Sequence, residues 1–87
     1  MTFTIVVYDV NQSKNREVHS FLRMYMSWVQ NSVFEGELTK SELRKIKNNL
    51  SEMIDIGDSV IIYELGNKKY VNKEVLGDKK GNTGQII

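Results

Sequence analysis

The N-terminal run from Thr2 to Asp9 is rich in β-branched and aromatic residues and ends on a carboxylate. This composition is typical of a β-strand, in which alternate side chains point to opposite faces. One face carries Phe3, Ile5, Val7 and Asp9, and the other carries Thr4, Val6, Tyr8 and Val10. Both faces are largely apolar, whereas a strand with one solvated face alternates apolar and polar residues. The strand therefore needs a covering layer on each side, and few folds of this size provide two.

Two helices are predicted downstream of this strand. After the turn residues at 11–13, apolar residues recur at helical spacing over about 13 residues: Val18, Phe21, Leu22, Tyr25 and Met26. A capping box formed by Thr39 and Glu42 begins the second helix, and Gly57 lies near its expected end. Because two helices cover only one face of a sheet, we expect a partner subunit to cover the other face.

The remaining segments predict strands. The alternation over 28–38 fits either one long strand or two strands joined by a bulge or turn. Residues 59–65 are predicted to form a strand that is apolar on both faces. Residues 70–76 are predicted to form a short strand with a weaker pattern. This order indicates an α+β fold, a ferredoxin-like split βαβ sandwich with an extra C-terminal strand. That last strand either extends its own sheet or crosses to a partner. We assign residues 1–77 to a single domain and 78–87 to a flexible C-terminal tail.

The composition excludes several classes of protein. The chain has 87 residues, no cysteine and a net charge of +1, so disulfide scaffolds and thiolate metal sites are excluded and a basic surface has to be local. The N-terminus lacks the features of a signal peptide, and no apolar run approaches the length of a membrane span. We expect a cytoplasmic protein without membrane contact. The single histidine, His19, has no partner that marks it as catalytic, and no zinc, EF-hand or phosphate-loop spacing is present.

Asp9 is the main candidate for chemistry. A carboxylate among apolar strand neighbours is costly to bury unless it is paired, hydrogen-bonded or bound to a metal. One aspartate does not form a magnesium site alone, but two copies of Asp9 that face each other across a twofold axis could share one ion. The alternative is an ordinary strand-end aspartate that caps the following turn.

Basic residues offer a second candidate function, the binding of nucleic-acid phosphates. They lie on both predicted helices: Arg16, Arg23, Lys40, Arg44 and Lys47. The alternative is a pair of solvated helix faces, balanced by Glu17, Glu42 and Glu52. Trp28 and Phe34 could stack on bases, although aromatic residues on an alternating strand more often belong to the core.

Several segments of the sequence resemble a known protein family. Tyr8-Asp9-Val10 at the end of the first strand, the run from Trp28 to Leu38 and the later strands at 58–63 and 74–77 resemble the small "Cas two" adaptation proteins of CRISPR systems. The resemblance covers nearly the whole chain. It implies a homodimer joined through sheet faces, with the last strand packed on the partner's sheet.

The resemblance also implies a function and a set of site residues. Family members are metal-dependent endonucleases that act on single-stranded RNA or duplex DNA, or non-catalytic scaffolds that bind DNA and bridge dimers of the adaptation integrase during spacer acquisition. By this resemblance Asp9 of two subunits holds one Mg²⁺ or Mn²⁺, and Tyr8 lies beside it. Arg16 or Lys14 would stabilise the developing charge, Ser32 and Phe34 would lie near the substrate, and the tail would contact the integrase.

Overall fold

The computed structural model describes residues 1–66 and 69–77, with side chains described for 1–66 and 72–77. Within these ranges the chain forms five strands and two helices. The strands are β1 (Thr2–Asp9), β2 (Ser27–Gln30), β3 (Val33–Leu38), β4 (Ser59–Gly66) and β5 (Lys69–Gly77), and the helices are α1 (Gln12–Arg23) and α2 (Lys40–Met53). The predicted α+β, ferredoxin-like fold is confirmed.

The strands form one antiparallel sheet in the order β2-β3-β1-β4-β5. β1 is central, and it pairs with β3 from Thr2 opposite Leu38 to Val7 opposite Val33. On its other side, β1 pairs with β4, where Asp9 lies opposite Ser59. The carboxyl end of β1 is therefore flanked by the turn between β2 and β3 and by the start of β4.

Local sequence signals set the ends of both helices. The Asn11 side chain accepts a hydrogen bond from the Ser13 N–H and caps α1. At α2, Thr39 accepts from the Glu42 N–H at 3.1 Å while the Glu42 carboxylate accepts from the Thr39 N–H at 2.9 Å, so the predicted capping box forms. α1 ends at Arg23, a few residues before the end of the apolar pattern, and Met26 packs in the core from the segment that follows.

Both helices cover the same face of the sheet. The side chains that point to this face are buried with those of the helices in one core: Val6, Tyr8, Val18, Leu22, Met26, Phe34, Leu38, Leu43, Ile46, Leu50, Val60 and Ile62. The opposite face, which we call the open face, keeps its apolar side chains only half-buried: Phe3, Ile5, Val7, Val33, Ile61, Tyr63, Leu65 and Val75. The expectation that two helices leave one apolar face uncovered is therefore met in the single chain.

The structure decides the alternatives for residues 28–38, and it shows how the last strand pairs within the single chain. Residues 28–38 form two strands joined by a tight turn, in which Asn31 adopts a positive φ of 44°. The last strand extends its own sheet: β5 pairs with β4 from Ser59 opposite Gly77 to Gly66 opposite Lys69. The packing of this strand on a partner's sheet, implied by the family resemblance, stays a prediction. The predicted tail at 78–87 lies outside the described residues.

Candidate functional site at the carboxyl end of the central strand

Asp9 is exposed at the last position of β1. It alternates with Val7 and Ile5, so it lies on the side of the open face. Residue 10 then leads directly into the capped start of α1. The structure thus places this carboxylate on a rigid central strand, at the border of an apolar surface suited to contact with a second subunit.

A buried carboxylate that the sequence analysis missed supports this end of β1. Asp58 is 3% exposed, and its two oxygens accept from the Asn11 N–H at 2.8 Å and the Asp55 N–H at 2.9 Å. The Lys14 ammonium lies 3.3 Å from Asp58 and also pairs with Asp55. These contacts tie the turn after Asp9 to the turn between α2 and β4. The sequence signal is the segment Asp55 to Asp58, which predicts the end of a helix and the start of a strand but no contact with Asn11.

This network affects the charge states of its members. The Asp55 N–H, followed by the Asn11 N–H and Lys14, holds the pKa of the Asp58 carboxyl below its usual value despite the opposing effect of burial. The hydrogen bond to Asp55 raises the pKa of Lys14. Both groups therefore remain charged at neutral pH, and Lys14 is already engaged by two carboxylates rather than directed at a substrate phosphate.

Tyr8 and Phe34 lie inside the core rather than at a binding surface. Their rings stack at 6.2 Å between centroids, and Phe34 is fully buried. Burial raises the pKa of the Tyr8 phenol, and the Ser32 side chain opposes this shift, although no described group meets full hydrogen-bond geometry with the Tyr8 hydroxyl. The prediction that Phe34 contacts nucleic acid does not fit this position. Tyr8 and Phe34 can shape the site only from beneath it.

Ser32 remains at the site. It is half-buried in the turn between β2 and β3, and its carbonyl accepts the Tyr8 N–H at 3.0 Å. This bond holds the turn against the end of β1, one residue before Asp9.

The predicted cationic residues fall into two groups. Lys14 is paired as described, and Lys47 lies 2.9 Å from carboxylate oxygens of both Glu64 and Glu74. The others are exposed and form no ion pair with any described residue: Arg16, Arg23, Lys40 and Arg44. The second group is the one that can contact phosphates without first breaking an ion pair.

The donor set limits how a metal could be held. Across the described part of the chain, no group of three or more His, Asp or Glu side chains is arranged to hold an ion. Asp58, which directly precedes the β4 residue opposite Asp9, already uses both oxygens for backbone donors. A second subunit would bring a second Asp9 carboxylate to such an ion, and Mg²⁺ usually takes one or two carboxylates and keeps several waters.

Comparison with known proteins assigns the chain to a family. The family model described as CRISPR associated protein Cas2 matches residues 1–73. The chain is 50% identical over 86 residues to the CRISPR-associated endoribonuclease Cas2 of Methanosarcina acetivorans, covering 98% of this chain and 99% of the relative. It is 46% identical to the protein of the same name from Pyrococcus furiosus, with the same coverage. The chain belongs to the Cas2 family.

Solved Cas2 structures share the fold. A structure described as the crystal structure of cas2 matches with a TM-score of 0.74 and 40% identity, covering 99% of this chain and 98% of the other. Streptococcus pyogenes Cas2 at pH 6.5 matches with a TM-score of 0.68 and 37% identity, covering 76% and 88%. The predicted membership of this family is confirmed. Neither described helix of this Cas2-family chain is long and apolar enough to span a membrane.

Proposed function

We propose that this protein is a CRISPR endoribonuclease that hydrolyses phosphodiester bonds of single-stranded RNA with Asp9 as its central residue. The names of its relatives support the reaction class, since proteins 46–50% identical over nearly the full chain are named endoribonucleases. The observation that carries the assignment to a residue is the exposed position of Asp9 at the end of the central strand.

The proposed site is shared by two subunits. A homodimer formed through the open face would bring two copies of this strand end together, and the two Asp9 carboxylates would hold one Mg²⁺ or Mn²⁺. When bound, such an ion supplies an activated water and polarises the scissile phosphate. Asp9 would bind the ion and fix its position, and Ser32 would hold the neighbouring turn. The exposed Arg16 would balance the negative charge on the scissile phosphate.

We place the protein in the cytoplasm, in the adaptation stage of CRISPR immunity. There it would also contact the adaptation integrase, and activity on duplex DNA is part of the same proposal. A second candidate function is a non-catalytic scaffold that holds duplex DNA by its phosphates. Lys40 and Arg44 on α2 favour this alternative, because both are exposed and neither forms an ion pair with a residue that the structure describes.

The test compares wild type with Asp9→Asn on labelled single-stranded RNA and duplex DNA, with Mg²⁺ or Mn²⁺ titrated. Glu37→Gln is the matched control, because it neutralises an exposed carboxylate at the opposite end of the sheet, opposite Phe3. We expect Asp9→Asn to lose RNA cleavage while Glu37→Gln retains it. Equal activity in wild type and Asp9→Asn would overturn the role of Asp9. No cleavage by wild type, with duplex binding retained, would favour the scaffold.

A further inference from the structure

Trp28, the only tryptophan of the chain, is 56% exposed on the edge strand β2. Its ring is nevertheless held in place. The indole N–H donates to the Asn31 carbonyl at 2.9 Å, and the ring meets the His19 imidazole edge-on, with 5.7 Å between centroids. An aromatic ring that is both fixed and open to solvent is a candidate binding surface, because it offers a face in one orientation to a stacking partner.

The proposed second subunit does not cover this ring. Trp28 lies opposite Phe34 in the register of β2 and β3, so it shares the helix-covered side of the sheet with Phe34. His19, which it contacts, belongs to α1 on that same side. A subunit docked on the open face would contact the opposite side, and Trp28 would remain exposed in the dimer.

Two exposed arginines flank the contact between Trp28 and His19. Arg16 and Arg23 lie three residues before and four residues after His19, so the three side chains form one row along α1 about 10 Å long. Neither guanidinium pairs with a carboxylate among the described residues. The neighbouring Glu17 lies about 100° from Arg16 around the helix. The row therefore presents two cations to a ligand that contacts Trp28.

The turn between β2 and β3 links the Trp28 ring to the Asp9 end of β1, although the two side chains lie on opposite sides of the sheet. The Asn31 carbonyl that fixes Trp28 belongs to the turn between β2 and β3, and the next carbonyl, of Ser32, accepts the Tyr8 N–H at 3.0 Å. β2 is two strands away from β1 in the sheet. Trp28 lies level with Val6, three residues before Asp9, so two interstrand spacings and three residues along the strand separate the two backbones by about 14 Å, a span that a few nucleotides cover.

We propose that Trp28 is the stacking platform for an unpaired base of the RNA strand, and that Arg16 and Arg23 bind the phosphates on either side of that base. The inference rests on the proposed function for its substrate class and adds a subsite to it. Bases stack on aromatic rings without sequence readout, and cations track the backbone beside them. An unpaired base is required, since a base within a duplex has no free face, so this subsite selects single-stranded over double-stranded substrate.

Because the chain has one tryptophan, its fluorescence reports on this subsite directly. Asp9→Asn protein in EDTA is titrated with a short single-stranded RNA and with an abasic RNA of the same length, so binding is measured without cleavage. We expect quenching by the RNA and none, or far less, by the abasic strand. Equal quenching by both strands, or no quenching, overturns the proposal; the latter would leave this surface to a protein partner.

Variants give a second readout that does not depend on fluorescence. By anisotropy of labelled RNA, Trp28→Ala weakens binding on the order of tenfold and Trp28→Phe retains most of it, as expected for the loss of one stacked base. Arg23→Ala lowers the slope of log affinity against log salt by about 0.7, the value for one phosphate of a single strand. Unchanged affinity in a folded Trp28→Ala protein overturns the proposal.

Cleavage assays separate the two proposals. In an active protein, Trp28→Ala should raise KM for RNA and leave kcat nearly unchanged. If wild type binds RNA with quenching but does not cleave it, the proposed nuclease activity fails and the subsite stands. If wild type cleaves RNA without quenching, the subsite fails and the nuclease activity stands.

Discussion

Gly77 ends β5 at a point where no side chain fits. A Cβ at this position would lie 2.4 Å from the Asp58 carbonyl oxygen and 2.9 Å from the Ile54 side chain, and φ is +84°. Gly57 also has a positive φ, of +94°, but a Cβ there would meet nothing within 4 Å. The two glycines therefore separate backbone strain from steric exclusion. Gly77 lets the end of β5 approach the backbone of the turn that carries Asp58.

We predict that Gly77→Ala destabilises the protein more than Gly57→Ala does. Gly57→Ala should cost about 1–2 kcal/mol, the strain of a left-handed alanine, and Gly77→Ala should cost about 1–3 kcal/mol beyond that because backbone has to move. Urea denaturation of both variants measures the difference. Equal losses would show that the end of β5 yields to a methyl group without cost.

Asp58 gives a prediction about acid stability. Its pKa is lowered in the folded protein, so its contribution is fully present above the unfolded pKa of an aspartate, roughly 3.9, and is lost as the pH falls through the lower folded value. Asp58→Asn keeps the shape but offers one acceptor where two backbone N–H groups converge. We expect it to melt several degrees lower than wild type at neutral pH.

The pH profile tests the cause of that loss. The gap in melting temperature between wild type and Asp58→Asn should be constant down to about pH 5 and should narrow below about pH 4, as wild type loses its charged carboxylate. Asp55→Asn is the control, because Asp55 is exposed and, among the described residues, its side chain accepts only from Lys14. A gap that stays constant into acid would mean that the charge of Asp58 does not matter.

At the scale of elements, three of the cations on α2 look equivalent in the sequence but have different surroundings in the structure. Lys40, Arg44 and Lys47 line one shallow groove of about 380 Å³ together with Leu43 and Glu74. Lys40 and Arg44 are exposed there, whereas Lys47 joins α2 to the sheet through Glu64 and Glu74. Lys47 is therefore a structural residue in the single chain, and a phosphate that approached it would compete with two carboxylates.

We predict that Arg44→Ala weakens duplex DNA binding more than Lys47→Ala does. Loss of one phosphate contact should lower the slope of log affinity against log salt by about 0.9, and we expect this change for Arg44→Ala. Lys47→Ala should leave the slope near that of wild type and lower the melting temperature instead, because Glu64 and Glu74 lose their shared partner. A salt titration by anisotropy measures both slopes. The reverse ranking would show that DNA displaces the two carboxylates.

At the scale of the whole molecule, sequence predicted patterns better than positions. The spacing of apolar residues predicts the two helices, and the β-branched runs predict the strands. Both patterns are visible because burial on one or two faces requires apolar residues at regular positions. The capping box at Thr39 is local chemistry and was equally readable. The two strands within 28–38 were ambiguous, since a turn through Asn31 preserves the same alternation on either side.

The contacts at the site between residues far apart in the chain could not be predicted from the sequence. Asp58 binds the Asn11 N–H across 47 positions, and no local pattern announces such a pair. Phe34 and Trp28 both lie on alternating strands, yet one is fully buried and the other is exposed, because only Phe34 lies beneath the helices. The ion pairs of Lys14 and those of Lys47 likewise depend on which carboxylates the fold brings near each lysine.

The open face supports a prediction about assembly. Charge placed at its centre should prevent a homodimer, because a buried unpaired carboxylate is costly. Ile61→Glu should therefore elute as a folded monomer where wild type is a dimer, as measured by light scattering with size-exclusion chromatography. Ile56→Glu is the control, since Ile56 is 96% exposed and lies in the turn between α2 and β4 rather than on the open face. A dimeric Ile61→Glu protein would exclude the open face as the interface.

Assembly and activity are linked if the catalytic centre is shared between subunits. The folded Ile61→Glu monomer should then lack nuclease activity, although its own Asp9 is intact. Mixing supplies a test without a change at the interface: wild type is unfolded and refolded with an equal amount of Asp9→Asn. About one quarter of the dimers then hold two intact Asp9 residues. Activity per mole of total protein should therefore fall to roughly a quarter of the wild-type value if both carboxylates are needed, and to about half if each subunit acts alone. A loss of half would refute the shared site while leaving the dimer in place.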